Sequence, residues 1–291
     1  MNSFPAPAKI NLHLKVTRTL PDGYHELDTS FAYVDIADEL IISPADELIV
    51  TCSKPELSGE NNLVHKVLDA FRRQLGISSG LSVHINKKLP DQAGLGGGSS
   101  DAATALLVAN QLWHADQSKD QLIAFAAPFG ADIPCFLFER ASLAAGIGEQ
   151  LSDYPTALPT GFLLLAYPGV GLATPEVFNC YDQQANAAAA LTHHNSVDTI
   201  RANSEPAIGD NDLEACACSL STEVDRLLRE MQKVTDLAWM SGSGSTCVAL
   251  FATRERAESV ANMLLDRALA NWTHVGKLLK THPLEIEKIG A

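Results

Sequence analysis

Positive charge is scarce in this sequence. Across 291 residues, 21 Lys and Arg stand against 35 Asp and Glu, a formal net charge of −14. Such a balance disfavours non-specific binding to nucleic acid or to anionic membranes, but leaves room for a local site that takes an anionic small molecule. Long hydrophobic runs are missing as well. None approaches the ~20 residues needed to cross a bilayer, and the longest candidate, Phe162 to Tyr167, has the length of a strand. Lys9, Asn11 and His13 interrupt any apolar core near the start, so no signal peptide is expected. The six cysteines (Cys52, Cys135, Cys180, Cys216, Cys218 and Cys247) form no C-x-x-C pair, and Cys216-Ala217-Cys218 has no partner pair at zinc-site spacing. They are expected to be reduced, mostly buried thiols of a cytoplasmic protein. His193-His194 likewise has no partner at ligand spacing, and no protein-held metal centre is expected. There is no internal repeat and no low-complexity linker. At 46% hydrophobic and 19% charged residues the chain is globular, with a sizeable core in one large or two medium domains.

The most informative stretch present is Gly94-Leu95-Gly96-Gly97-Gly98-Ser99-Ser100-Asp101. Leu81, Val83 and Ile85 alternate with polar residues before it, which reads as a strand. Ala102 to Trp113 follows as a helix rich in Ala and Leu, with Ser99 or Ser100 as its N-cap. Glycines let backbone approach an anion, and the N–H groups of the helix start point at it, so the physical reading is a phosphate cradle. The stretch is not a Walker A loop, because no Gly-Lys pair follows. It misses the third glycine of a dinucleotide fingerprint and the last glycine of a hydrolase elbow. A mobile glycine-rich turn stays open at this point.

Elsewhere, Ala8 to Val16 alternates with a two-residue period and puts Lys9 and Asn11 on one polar face of a strand. Pro21-Asp22-Gly23 is turn chemistry. Two strands are expected near Phe31 to Val34 and Leu40 to Ile42, then an amphipathic helix from Asn62 to Leu75 stopped by Gly76. Another helix covers Gln121 to Phe129, and a strand covers Ser142 to Ala145. Pro155 and Pro159 mark a composition break, which divides the chain into domains at 1–153 and 154–291. In the second half, Thr174-Pro175-Glu176 starts a helix with Thr174 as N-cap. Residues 185–208 read as loop or loose helix. Strands at Phe162 to Tyr167, Ala238 to Met240, Cys247 to Phe251 and Trp272 to Leu279 combine with helices at Ser221 to Met231 and Arg254 to Leu269. The order β-α-β-β-α-β is that of a ferredoxin-like unit.

Three motifs together resemble the GHMP kinases: Pro7-Ala8-Lys9-Ile10-Asn11-Leu12, the glycine loop, and Ser241-Gly242-Ser243-Gly244-Ser245-Thr246. Asp22-Gly23-Tyr24-His25, Gly130-Ala131-Asp132-Ile133-Pro134 and Thr174-Pro175-Glu176-Val177-Phe178 point to the cytidine-bearing branch of that family. The resemblance runs from Pro7 to about Phe251. Each motif is weak alone, but six in order are not. It implies an α+β, two-lobed fold, with an N-terminal lobe like domain 2 of ribosomal protein S5 and a C-terminal ferredoxin-like lobe. It also implies that Pro90-Asp91-Gln92-Ala93-Gly94-Leu95-Gly96-Gly97-Gly98-Ser99-Ser100 wraps the triphosphate of ATP, with Asn62 near the adenine. The substrate implied is a small alcohol carrying a cytidine diphosphate. Tyr24 and Phe178 would stack on the base, His25 would read its edge, and Thr174 and Asn11 would line the substrate site.

The residues support matching chemistry. A hydroxyl acceptor needs a carboxylate at hydrogen-bond distance, and Asp132 is the candidate. Lys9 is its expected partner, to orient the hydroxyl and steady the γ-phosphate, and Ser99 or Ser100 would offer a hydroxyl oxygen to a Mg²⁺ ion that neutralises phosphate charge. Taken singly, each residue has a plainer reading. Asp132 is also a helix cap, Lys9 a solvated lysine, His25 a surface histidine, and Tyr24 and Phe178 core or rim aromatics. Two positions depart from the family pattern: Gln92 stands where glycine is usual, and Glu139 precedes Arg140 where relatives often carry glycine. The rivals are a homoserine or mevalonate kinase of the same family, a nucleotide-binding regulator without turnover, and a nucleic-acid module, which the charge opposes.

Overall fold

A computed structural model describes residues 2–21, 23–191 and 206–284, with side chains from 186 to 191 left aside. The first sheet is built on a long antiparallel pair, β1 (Asn2–Thr19) and β2 (His25–Ala45). Beyond β2 on one side lie β4 (Gly80–Asn86) and β3 (Ile49–Cys52), and on the other β5 (Ser142–Ala145) and β6 (Gln150–Asp153). Strand β2 is one strand where two are expected. The intervening Asp35 to Glu39 stays in the sheet because its carboxylates find partners. Asp38, fully buried, accepts from the backbone N–H groups of Lys88 and Leu89, and Asp35 accepts from that of Lys277.

Helices α1 (Leu63–Leu75) and α2 (Gly97–Leu112) pack on this sheet. Helix α1 keeps to its expected bounds, since Asn62 caps its start through Val64 N–H and Gly76 ends it in the left-handed conformation. Helix α2 begins earlier than expected. Gly96, at φ 69°, is its N-cap, so Ser99 and Ser100 lie inside the first turns and cap nothing. Its residues from Ser100 to Asn110 are all buried, which the small Ala side chains permit by letting neighbours close in. Next come α3 (Lys119–Ala126), a 3₁₀ turn at Ala127–Phe129, and the short α4 (Ile133–Leu137).

The second sheet holds β7 (Phe162–Tyr167), β8 (Ala238–Met240), β9 (Cys247–Phe251) and β10 (Trp272–Gly276), antiparallel in the order β10-β7-β9-β8. This is the expected ferredoxin-like arrangement, with α8 (Arg254–Asp266) in the second helical place. Among the described residues three helices fill the first: α5 (Thr174–Leu191), α6 (Glu214–Leu220) and α7 (Thr222–Gln232). Thr174 is the first residue of α5, not the cap before it. His193-His194 and most of the stretch expected to be loop or loose helix lie outside the described residues, and its first residues continue α5 to Leu191. The last expected strand divides in two. After Gly276 the chain leaves the second sheet, and β11 (Leu278–Leu279) pairs with Val34 and Tyr33 of β2 in the first.

Strand β1 joins the two sheets. Ala8, Ile10 and Leu12, with no exposed surface, share a core with Leu163, Leu165, Trp239 and Val248 of the second sheet. The opposite face is not solvated as its polarity suggests: Lys9 and Asn11 are each 3% exposed. Loop 241–246 and the glycine loop cover them.

Candidate active site

A cleft of about 1190 Å³ opens over that polar face of β1. Lys9 is held there from three sides. Its backbone N–H donates to Leu95 O, its Nζ donates to Asn11 Oδ1 at 2.8 Å, and the ammonium lies 5.2 Å from the centre of the Phe31 ring. The remaining side faces Asp132, with Nζ 3.4 Å from Oδ2. Asp132 occupies the N-cap position of α4 but makes no capping bond. The plainer reading of this carboxylate therefore fails, and it points into the cleft. Asn11 is fixed in turn, donating from Nδ2 to Thr29 Oγ1 at 2.9 Å.

The glycine loop forms one wall. Pro90, Asp91, Gln92, Ala93, Gly94, Leu95, Gly96, Gly97, Gly98 and Ser99 all line the cleft. Ser100 does not. It is fully buried behind the loop, so it cannot offer its hydroxyl to a bound phosphate or ion. The first N–H groups of a helix have no partner within it; in α2 they belong to Gly97, Gly98 and Ser99, and the helix dipole adds partial positive charge. Glycine is required at two points. A Cβ on Gly94 (φ 75°) would lie 2.6 Å from Ser241 O, and one on Gly96 would lie 3.0 Å from the Phe136 ring. Loop 241–246 therefore presses on the back of the glycine loop, with Thr246 N–H donating to Ala93 O. Both departures from the family pattern adopt the conformation that glycine favours: Gln92 has φ 52° and Glu139 φ 63°.

Under the start of α2 lies a charge cluster that the motifs did not reveal. Lys87 Nζ donates to Asp38 Oδ2 at 2.5 Å and to Asp101 Oδ2 at 2.9 Å. Burial disfavours the charge on Lys87, but Asp101 and Asp38 more than offset it and hold the ammonium above the usual lysine range. Burial pushes the Asp101 carboxyl up to about 7, against the pull of Lys87. Lys87 and Asp101 both border the cleft, beside Gly97.

At one end of the cleft sit Leu57, Ser58 and Asn62. The Asn62 side chain is already engaged, accepting from Val64 N–H and donating to Leu57 O. At the other sit Tyr24, His25, Thr174 and Phe178. Phe178 stacks on the His25 ring with centroids 4.5 Å apart, and Tyr24 stands 61% exposed at the mouth. Asp182, which no motif singled out, accepts from His25 Nε2 at 2.8 Å.

The model of the GHMP kinases N terminal domain matches residues 62–140, and that of the GHMP kinases C terminal matches residues 187–271. This chain belongs to the GHMP kinases. A 4-diphosphocytidyl-2-C-methyl-D-erythritol kinase of Cupriavidus metallidurans is 33% identical over 98% of the chain and 95% of the relative. One of Desulfitobacterium hafniense is 37% identical over 92% and 94%. A crystal structure of a 4-(cytidine 5'-diphospho)-2C-methyl-D-erythritol kinase superposes with a TM-score of 0.75 at 33% identity, covering 95% of this chain and 99% of that one. The mevalonate kinase of Methanococcus jannaschii shares the fold, with a TM-score of 0.66 at 14% identity over 96% of this chain and 98% of that one.

Proposed function

We propose that this GHMP kinase transfers the γ-phosphoryl group of ATP to the 2-hydroxyl of 4-diphosphocytidyl-2-C-methyl-D-erythritol, a step of the non-mevalonate route to isoprenoid precursors. The observation that carries the reading is the Lys9–Asp132 pair, 3.4 Å apart, in one cleft with the helix start on one side and the His25–Phe178 pair on the other. The triphosphate lies along Gly94 to Ser99, and the adenine lies towards Asn62. The cytosine lies at Tyr24, His25 and Phe178, and Asn11 and Thr174 border the alcohol. The hydroxyl oxygen attacks the γ-phosphorus, the bond to the β–γ bridging oxygen breaks, and the hydroxyl proton passes to Asp132. Lys9 orients that hydroxyl and balances charge on the phosphoryl oxygens as the transfer proceeds.

The donor set fits Mg²⁺. Ser99 offers a hydroxyl in the cleft, a hard oxygen ligand. Among the described residues no group of three or more His, Cys, Asp or Glu is arranged to hold a metal, so the phosphates would supply the other ligands. When bound, the ion would neutralise phosphate charge. The change of sheet between Asp153 and Phe162 supports a division at 1–153 and 154–291, with β11 returning to the first sheet. Among the described residues no helix is long and apolar enough to cross a membrane, and the six cysteines are free thiols, as suits a cytoplasmic enzyme.

The test is ADP release with Mg-ATP and the cytidylated methylerythritol, beside homoserine and mevalonate. Turnover with the cytidylated compound alone is expected. Turnover only with another alcohol would keep the phosphoryl chemistry and discard the cytidine pocket. No turnover with any of them would favour a regulator.

A further inference from the structure

Thr174, Phe178 and Asp182 recur at intervals of four along α5, so they form one stripe of that helix. Each touches a residue that borders the cleft. Thr174 Oγ1 lies 2.8 Å from Ser243 Oγ, behind the glycine loop. Phe178 covers one face of the His25 ring. The Asp182 carboxylate reaches the end of the β1–β2 pair at which β1 passes into β2, where Thr19 and His25 are cross-strand partners. Its Oδ1 accepts from both, from His25 Nε2 at 2.8 Å and from Thr19 Oγ1 at 3.3 Å. Tyr181 sets its ring edge-on to the imidazole at 6.4 Å. His25 is therefore pinned by a stack, an edge and a hydrogen bond, with 7% of its side chain exposed.

An ionised carboxylate can only accept, so the nitrogen that it engages must carry the proton. In the neutral ring the lone pair then falls on Nδ1. Cytosine and uracil differ at position 4, where cytosine has an amine that donates and uracil a carbonyl that accepts. An acceptor held at that edge bonds the first and repels the second. We propose that Asp182 is a positioning residue for base selectivity: it fixes the His25 proton on Nε2 and presents Nδ1 as the acceptor for the 4-amino group of cytosine. This rests on the cytidine reading of the cleft. Phe178 alone could not supply the choice, because stacking tolerates any base.

The test measures binding of CDP and UDP by calorimetry to the wild type, Asp182→Ala and Asp182→Asn, with a non-hydrolysable ATP analogue and a thermal melt in parallel. The wild type should bind CDP at least about tenfold more tightly than UDP, the effect of one well-made hydrogen bond. Asp182→Ala should close that gap by weakening CDP alone, leaving the ATP analogue unaffected. Asp182→Asn keeps an acceptor oxygen and should restore most of the preference. Asp182→Ala with the full preference for CDP would overturn the assignment. So would an equal loss for both nucleotides, which marks a purely structural role. A wild type that binds CDP and UDP alike would instead remove the cytidine reading itself, and that result is visible before any substitution is made.

Discussion

Gln92 packs directly on Gly171, so that a Cβ on Gly171 would lie 2.9 Å from both Cβ and Oε1 of Gln92. The contact joins the glycine loop to the segment that leads into α5. Gln92 holds it at φ 52°, a conformation that costs a residue with a side chain about 1–2 kcal/mol. Gln92→Gly relieves the backbone and loses the contact, whereas Gln92→Ala loses most of the contact and keeps the backbone cost. The glycine variant should therefore be more stable than the alanine variant by about 1 kcal/mol. Chemical denaturation of the two would decide, and an alanine variant of equal or greater stability would sink the argument.

Asp132→Asn should lose at least about 100-fold in kcat, the usual contribution of a positioned proton acceptor. The asparagine has nearly the same shape, and Lys9 keeps its bond to Asn11 Oδ1, so the fold should persist. ATP affinity, measured by calorimetry, should change less than about threefold, because the helix start remains. Full turnover in this variant would show that the carboxylate does not take the proton.

The parts of this site that were legible in the sequence are those fixed by near neighbours. The cap at Asn62 and the stop at Gly76 depend on a few residues each, and so does the glycine loop between β4 and α2. The burial of Lys9 depends on loop 241–246, far along the chain, and an alternating strand looks the same with or without such a cover. The Lys87 cluster draws Asp38 from 49 residues away, and Asp182 meets His25 across 157. No local pattern marks such partners. The positive φ of Gln92 and Glu139 lay between these cases: the expectation of glycine there was the signal, and the side chains hid it.

Asp101 gives the enzyme a stability that depends on pH. Its folded-state pKa, about 7, lies above the 3.8 of an ordinary aspartate because the carboxyl is buried. The folded state thus holds the proton more tightly. This contribution is fully present below about 3.8 and is lost as the pH rises through 7. Asp101→Asn cannot titrate, and its Oδ1 can still accept from Lys87. Its stability relative to the wild type should therefore rise between pH 5 and pH 8, by at least the roughly 1.4 kcal/mol that one pKa unit represents. Urea denaturation at both values would check this. An unchanged difference would mean that Asp101 stays charged in the folded protein throughout.

His282 acts in the opposite sense at the acid end. The chain beyond β11 lays this residue against the first sheet, 7% exposed, with its ring edge-on to Tyr33 at 5.4 Å. Nδ1 accepts from Leu284 N–H at 3.1 Å, so the neutral ring is the one that fits. Burial, helped by the nearby Lys119, lowers its pKa from 6.5 to about 3. A folded-state pKa below the unfolded one means that the stability it contributes is present above about 6.5. That stability is lost as the pH falls towards 3, because the unfolded chain takes up the proton first. At pH 5 the loss should be about 2 kcal/mol. His282→Phe keeps the ring against Tyr33 and removes the titration. It should lower stability at pH 7.5, where the bond from Leu284 is missing, and flatten the decline between pH 6.5 and 4.5. Denaturation curves for both proteins across that interval provide the check, and parallel declines would place the acid sensitivity elsewhere in the fold.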